Sequence, residues 1–147
     1  MIGAEKLNPK PKAVNTVGVP LQRIRLELAR DREFPEGSRE HGYDLIVPLD
    51  KAGHVSVAGW KANRDLCRVR RFWGHEVPLI GHIVHKPGGT GGNWAFHYDI
   101  RRGEGHVNDE PGFHFETHVF RTGEYVSIKE QDGALRTFRI QAVADFD

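Results

Sequence analysis

The sequence predicts a mainly β domain of the α+β class, built as a single antiparallel β-barrel or a two-sheet sandwich of about eight strands with one short helix. Three observations lead to this prediction. Several short runs alternate apolar and polar residues at period two, which is typical of strands with one buried and one exposed face. The connections between these runs are mostly of hairpin length. The 147 residues include 17 glycines, which favours turns and strands over helices.

One β-rich domain accounts for most of the chain. At 147 residues the chain is long enough for one hydrophobic core and too short for two ordinary ones. Residues 1–20 contain the stretch Asn8-Pro-Lys-Pro-Lys12 and show no periodic apolar pattern. We therefore expect a flexible N-terminal arm over residues 1–20, followed by a single domain over residues 21–147.

Eight strands and one helix are expected along this domain. In the first strand, Ile24 and Leu26 face away from Arg23 and Arg25. The hydroxyl of Ser56 is placed to cap a short helix, because it can accept hydrogen bonds from the first free amides. Predicted strands cover residues 21–30, 43–49, 67–73, 79–86, 93–100, 113–120, 124–130 and 135–143, and the helix covers residues 57–66.

The last two predicted strands form a hairpin through the loop Asp132-Gly133-Ala134. A three-residue loop fixes which residues lie opposite each other. In this register both apolar partners and opposite charges match, which supports the pairing. The expected cross-strand pairs are Val126 with Ile140, Ile128 with Phe138, and Glu130 with Arg136.

Charge and cysteine content narrow the class of protein. The formal net charge is +1, with basic residues in excess over 1–32 and 61–86 and acidic residues in excess over 33–60 and 87–118. The single cysteine, Cys67, excludes an intramolecular disulfide and suits a reducing compartment. The N-terminus lacks the apolar stretch of a signal peptide, and no segment resembles a membrane span. We therefore expect a cytoplasmic protein that does not enter a membrane.

One predicted strand pair carries a group of histidines and carboxylates. If the strands at residues 93–100 and 113–120 form an antiparallel hairpin, three histidines and two carboxylates share one face, backed by an aromatic layer. Imidazoles and carboxylates bind zinc, iron or manganese, and they transfer protons near neutral pH. The candidate cofactor is therefore a divalent metal. Its candidate ligands are His97, Asp99, His114, Glu116 and His118.

The same residues have a simpler interpretation as solvated cross-strand charge pairs, each worth a few tenths of a kcal/mol. The register with the next strand decides between the two. If the following loop is Thr122-Gly123, Val119 lies opposite Val126 and the aromatic face continues the core. If Arg121 joins the loop, His118 lies opposite Val126 and the histidine face points inward. An inward cluster would be a site, because buried charge is costly unless it is paired or metal-bound.

Four residues near this strand, Gly91, His97, Asp99 and Glu104, resemble the first motif of the cupin family. In that family, spaced histidines and a glutamate hold a metal inside a jelly-roll barrel. Asp99 stands where the family usually has a second histidine. The resemblance implies a metal-dependent enzyme of the barrel type, which requires the inward register.

A second candidate surface lies on the strand predicted at residues 67–73. This strand interleaves cations with aromatic rings, a combination that binds single-stranded nucleic acid through phosphate neutralisation and base stacking. The face with Arg23 and Arg25, together with the basic N-terminal arm, would extend it. The nearly neutral total charge weighs against this interpretation. The candidate residues are Arg68, Arg70, Arg71, Phe72 and Trp73.

The sequence alone does not establish a function, and three hypotheses follow from it. The first is a binding module whose pocket or sheet face accepts a small ligand, with or without a bound metal. The second is a protein that docks on single-stranded nucleic acid or another acidic partner through the arginine strand. The third is a cupin-like metal-dependent enzyme. No catalytic residue is assigned, because no Ser-His-Asp order is recognisable and Cys67 has no adjacent base.

Overall fold

Seven strands pair side by side in the part of the chain that the computed structural model describes, which comprises residues 18–86, 93–99, 118–130 and 132–146. They are β1 (Leu21–Leu28), β2 (Ser38–Pro48), β3 (Arg68–Trp73), β4 (Leu79–Lys86), β5 (Asn93–Tyr98), β6 (Tyr125–Lys129) and β7 (Leu135–Asp145). Their order across the sheet is β5-β4-β3-β2-β1-β7-β6, and all neighbours are antiparallel. A helix, α1 (Val57–Ala62), and a 3-10 turn (Arg64–Leu66) connect β2 to β3. In these ranges no helix has the length and apolar character needed to cross a bilayer.

The mainly β prediction is confirmed, but the described strands form one curled half-barrel sheet. Of the eight predicted strands, seven are present, and β4 has the predicted bounds. The remaining strand was predicted at residues 113–120. Its first five residues lie outside the described ranges, and residues 118–120 belong to no strand. An eight-stranded closed barrel or sandwich is therefore not formed by the described strands.

Ring contacts between distant strands show how strongly the sheet curls. The Tyr43 ring on β2 lies with its centroid 5.2 Å from that of Phe96 on β5. It also lies 5.1 Å from the Phe138 ring on β7. In a flat sheet, β2 and β5 would be about 14 Å apart, since three strand spacings separate them. The sheet thus wraps around its own aromatic side chains. We call this concave side the inner face and the opposite side the outer face.

The predicted alternation of apolar and polar residues is clearest on β5. Trp94, Phe96 and Tyr98 are buried in the core, whereas His97 between them is exposed. Burying an aromatic side chain of this size contributes about 1.5–3 kcal/mol. The aromatic layer predicted behind the histidine face is therefore part of the hydrophobic core.

The hairpin of β6 and β7 differs from the prediction by two residues. The cause is Gly133, which has a φ of +88° and donates its N–H to the carbonyl of Glu130. In three-residue hairpin loops the left-handed residue comes last, whereas the predicted loop placed this glycine in the middle. A shift of two keeps each side chain on its predicted face. The observed pairs are Val126 with Phe138 and Ile128 with Arg136, instead of Val126 with Ile140 and Ile128 with Phe138.

Helix α1 is capped as predicted but ends earlier. The Oγ atom of Ser56 accepts a hydrogen bond from the Gly59 amide at 2.9 Å. The helix ends at Ala62 because the backbone of Asn63 leaves the helical region, with φ −135° and ψ 37°. The Asn63 side chain donates to the Gly59 carbonyl. The predicted end at Leu66 coincides instead with the end of the 3-10 turn.

Replacing Ser56 by alanine should lower the free energy of unfolding by about 1 kcal/mol, because the Gly59 amide loses its capping partner. Urea denaturation followed by tryptophan fluorescence measures the change. The matched control is Thr122→Ala in an exposed turn, for which we expect a change within about 0.5 kcal/mol. Equal effects of the two substitutions would contradict the capping role.

Candidate functional site

The predicted histidine–carboxylate group falls only partly within the described residues. His97 is exposed and lies opposite His82 on β4. Asp99 follows β5 and approaches Arg68, with Oδ2 and Nη2 separated by 3.8 Å. His114 and Glu116 lie outside the described ranges, so their pairing with β5 stays a prediction.

Residues 118–120 do not continue into a hairpin with β6. Phe120 is buried, and its amide donates to the carbonyl of Gly53. The amide of Gly123 donates to the carbonyl of Ile140 on β7. Neither of the two registers predicted for Val126 against residues 118 and 119 is formed. His118, the first residue of this described range, is partly buried.

Metal binding by this group also stays a prediction. Across residues 18–86, 93–99, 118–130 and 132–146, no three His, Cys, Asp or Glu side chains converge in a way that would hold an ion. Gly91 and Glu104 of the cupin-like motif lie outside those ranges, as do two of the five candidate ligands.

The arginine-aromatic strand divides between the two faces of the sheet. Successive side chains of a strand point to opposite sides, so β3 sends Arg68, Arg70 and Phe72 to the outer face. Arg71 and Trp73 point to the inner face, where they contact buried residues. The five residues predicted as one nucleic-acid surface therefore do not form one surface, because the strand alternates.

A buried carboxylate connects the β6 end of the curled sheet to β2 and β3 in its middle. Glu130, which follows β6, is only 3% exposed. Its carboxylate accepts hydrogen bonds from Nε and Nη2 of Arg71, at 3.2 and 3.1 Å. It also accepts a hydrogen bond from Nε of Arg136 at 3.1 Å and one from the hydroxyl of Tyr43. We call these four residues, from β2, β3, β6–β7 and β7, the Glu130 cluster.

Two guanidinium groups of the cluster lie near one indole. The Cζ atom of Arg71 is 4.2 Å from the centroid of the Trp73 ring, and that of Arg136 is 5.2 Å from it. Cations attract the face of an aromatic ring, most strongly for tryptophan. Burial lowers the pKa of Arg136, but Asp31 and Glu130 more than offset this effect, so the pKa lies above its ordinary value.

His41 packs at the edge of the same tryptophan. Its ring centroid lies 4.7 Å from that of Trp73, and its Nδ1 is 2.6 Å from the Oγ of Ser38. Burial lowers the pKa of His41; Glu40 opposes this effect and Arg71 reinforces it. Burial and the neighbouring Arg71 therefore both disfavour a third cation beside Trp73.

The Glu130 cluster has a structural role in holding the curled sheet together. Its carboxylate oxygens are occupied by donors from the chain itself, and buried polar groups satisfied in this way rigidify a fold. The sequence contained part of this signal. Glu130 was predicted to lie opposite Arg136; in the observed register Ile128 lies opposite Arg136, but Oε1 of Glu130 still reaches Nε of Arg136 at 3.1 Å. The contribution of Arg71 was missed, since that residue was assigned to a nucleic-acid surface.

A groove on the outer face collects several of the exposed arginines. It has a volume of about 340 Å³ and lies over β1, β2, β3 and β4. Ile46 and Ile80 form its apolar floor, and Ile80 is 44% exposed. Among the charged lining residues, three are arginines and one is an aspartate, which gives the lining a net charge of +2. They are Arg23, Arg68, Arg70 and Asp44.

Asp44 organises the arginines beside this groove. Nη1 of Arg25 donates hydrogen bonds to both carboxylate oxygens of Asp44, at 3.1 and 3.2 Å. Nη1 of Arg70 donates to one of them at 3.1 Å. One carboxylate thus partly neutralises the charges of two arginines. The sequence indicated the face with Arg25, but not the groove, because its lining residues come from four strands that are distant along the chain.

Cys67 does not supply a reactive thiol. It is buried in the core, and burial raises the pKa of its thiol to about 12. The thiolate is the nucleophilic form of cysteine. Cys67 is therefore protonated and inert at neutral pH, as its sequence context indicated.

No protein-family model, curated protein or solved structure matches this chain. The geometry of the two faces of the sheet is therefore the basis for inferring a function.

Proposed function

We propose that the protein is a binding module that holds an anionic partner in the outer-face groove. The observation that carries the proposal is the composition of the groove: three arginines and one aspartate surround an apolar floor. Guanidinium groups are suited to carboxylates and phosphates, because their N–H donors match two oxygens at once. The inner face does not compete for this role, since core side chains and the Glu130 cluster occupy it.

The size and shape of the groove support the same proposal. Its volume of about 340 Å³ falls within the range of ligand sites, which are mostly apolar with a few placed polar groups. Arg68 and Arg70 are held by partners on neighbouring strands. Nη1 of Arg68 lies 3.3 Å from Nε2 of His82, and Nη1 of Arg70 donates a hydrogen bond to Asp44. Holding these side chains in place reduces the entropy lost when an anion binds.

The test removes two of the positive charges from the groove. Fluorescein-labelled oligoglutamate and oligothymidylate serve as anionic probes, and fluorescence anisotropy measures their binding at low salt. We expect the wild type to bind at least one probe. The double variant Arg68→Gln, Arg70→Gln should bind it about tenfold more weakly, since two exposed charge pairs are worth up to about 1 kcal/mol each.

The matched control removes two charges outside the groove. Arg32 lies in the loop between β1 and β2, and Lys61 lies on α1; both are exposed. The double variant Arg32→Gln, Lys61→Gln should change affinity by less than about twofold, because solvent and salt screen distant charges. The proposal is wrong if neither probe binds the wild type or if the two double variants weaken binding equally.

A further inference from the structure

We infer that the anionic partner is a single-stranded nucleic acid whose bases stack on planar groups of the outer face. This inference rests on the proposed function and names the partner of the same surface. The groove explains attraction to any anion. Two planar side chains of the same face add a feature that only a partner with flat rings would use: Arg25, which lies beside the groove, and Tyr125, which lies two strands further across the sheet.

The guanidinium group of Arg25 forms the first plane. Its Cζ atom lies 4.0 Å from the centroid of the Phe72 ring beneath it. Nη1 bonds to Asp44, and Nε bonds to Glu27 at 3.3 Å. These contacts hold the guanidinium over the ring, while the side chain stays 35% exposed. Nucleic-acid bases stack on arginine planes held in this way as well as on aromatic rings.

The ring of Tyr125 forms the second plane. Tyr125 is 56% exposed and lies opposite Arg139 on β7. Arg139 in turn lies opposite Glu27, which shares the outer face with Arg25. Tyr125 and Arg25 are therefore two strands apart on one face, or about 10 Å across the sheet, plus one step of about 7 Å along it.

The second plane also lies in a groove with an excess of positive charge. Tyr125 lines a groove of about 300 Å³ with three arginines and two glutamates, which give the lining a net charge of +1. They are Arg30, Arg39, Arg139, Glu27 and Glu36. With Arg68 and Arg70 at the first groove, the outer face offers positive charge on both sides of the two planes. This arrangement fits a strand whose phosphates contact arginines while its bases stack, which is how proteins bind single strands without reading their sequence. An acidic peptide would use the charges and leave the planes unused.

The experiment compares three labelled polyanions by fluorescence anisotropy. The first is oligothymidylate of about 12 nucleotides, within the span usual for such sites. The second is an abasic strand of equal length, which keeps the phosphates but has no bases, and the third is oligoglutamate. We expect oligothymidylate to bind at least about tenfold more tightly than the abasic strand, because stacking contributes only to the first.

Two variants assign the preference to the planes. Arg25→Lys keeps the charge but removes the plane, and Tyr125→Ala removes the ring. Each should reduce the preference for oligothymidylate over the abasic strand severalfold, whereas Tyr125→Phe should retain it. The control is Leu135→Ala, which shortens another exposed side chain of the same hairpin and should leave the preference unchanged.

The outcomes separate this inference from the proposed function. Equal binding of oligothymidylate and the abasic strand, or tighter binding of oligoglutamate, would overturn the inference and leave the anion-binding module in place. A preference that persists in both Arg25→Lys and Tyr125→Ala would also overturn it. If none of the three probes binds, the proposed function is wrong, and the inference falls with it.

Discussion

Replacing Glu130 by alanine should lower the free energy of unfolding by about 3–5 kcal/mol. The carboxylate is almost fully buried and accepts bonds from Arg71, Arg136 and Tyr43. Removing it leaves two largely buried guanidinium groups without their shared counter-ion, and breaking a buried charge network from one side costs an amount of this order. Urea denaturation measures the loss from the shift of the unfolding midpoint.

A second carboxylate near the same arginine provides the control. Asp132 lies 3.9 Å from Nη2 of Arg136, but its side chain is 64% exposed. Because exposed ion pairs are worth little, Asp132→Ala should cost less than about 1 kcal/mol. If the Glu130 variant loses no more stability than the Asp132 variant, then solvent screens the cluster, and the cluster does not hold the curled sheet together.

Phe138→Ala should destabilise the protein by about 3–5 kcal/mol, the usual cost of removing a fully buried phenylalanine. The ring of Phe138 is 0% exposed and lies between the rings of Tyr43 and Trp73. Its loss would open a cavity where β7 meets the inner faces of β2 and β3. Thermal and urea denaturation both measure the effect.

The same substitution at Phe146 controls for the loss of an aromatic ring as such. Phe146 follows β7, is only partly buried, and lies under the guanidinium of Arg23 at 5.4 Å. We expect Phe146→Ala to cost about 1 kcal/mol, since a partly solvated site loses less burial. A smaller loss for Phe138→Ala than for Phe146→Ala would show that the core tolerates the cavity.

Local patterns predicted the strands well, because alternation reflects burial on one face. The bounds of β4 were predicted without error, and the buried rings of β5 were identified. Prediction was weaker where backbone conformation decided the outcome. The position of Gly133 in its loop shifted the last hairpin by two residues, and Asn63 ended the helix early.

The candidate site was less accessible to sequence reasoning. Arg71 and Glu130 are 59 positions apart, and no local pattern relates two residues at that distance. The alternation of β3 did imply that Arg70 and Arg71 face opposite sides. The two arginines were nevertheless predicted to share one nucleic-acid surface, because both belong to a strand rich in arginine and aromatic residues.

The position of β1 inside the sheet has a consequence for the order in which the chain can assemble. One edge of β1 pairs with β2, which follows it directly, but the other edge pairs with β7. The end of β2 at Pro48 and the end of β7 at Asp145 are 97 positions apart, which corresponds to roughly 5–20 seconds of ribosomal synthesis. During that interval the nascent chain carries an open edge in what becomes the middle of its sheet, where pairing with another chain is the main hazard. Folding of the whole domain therefore waits for β7.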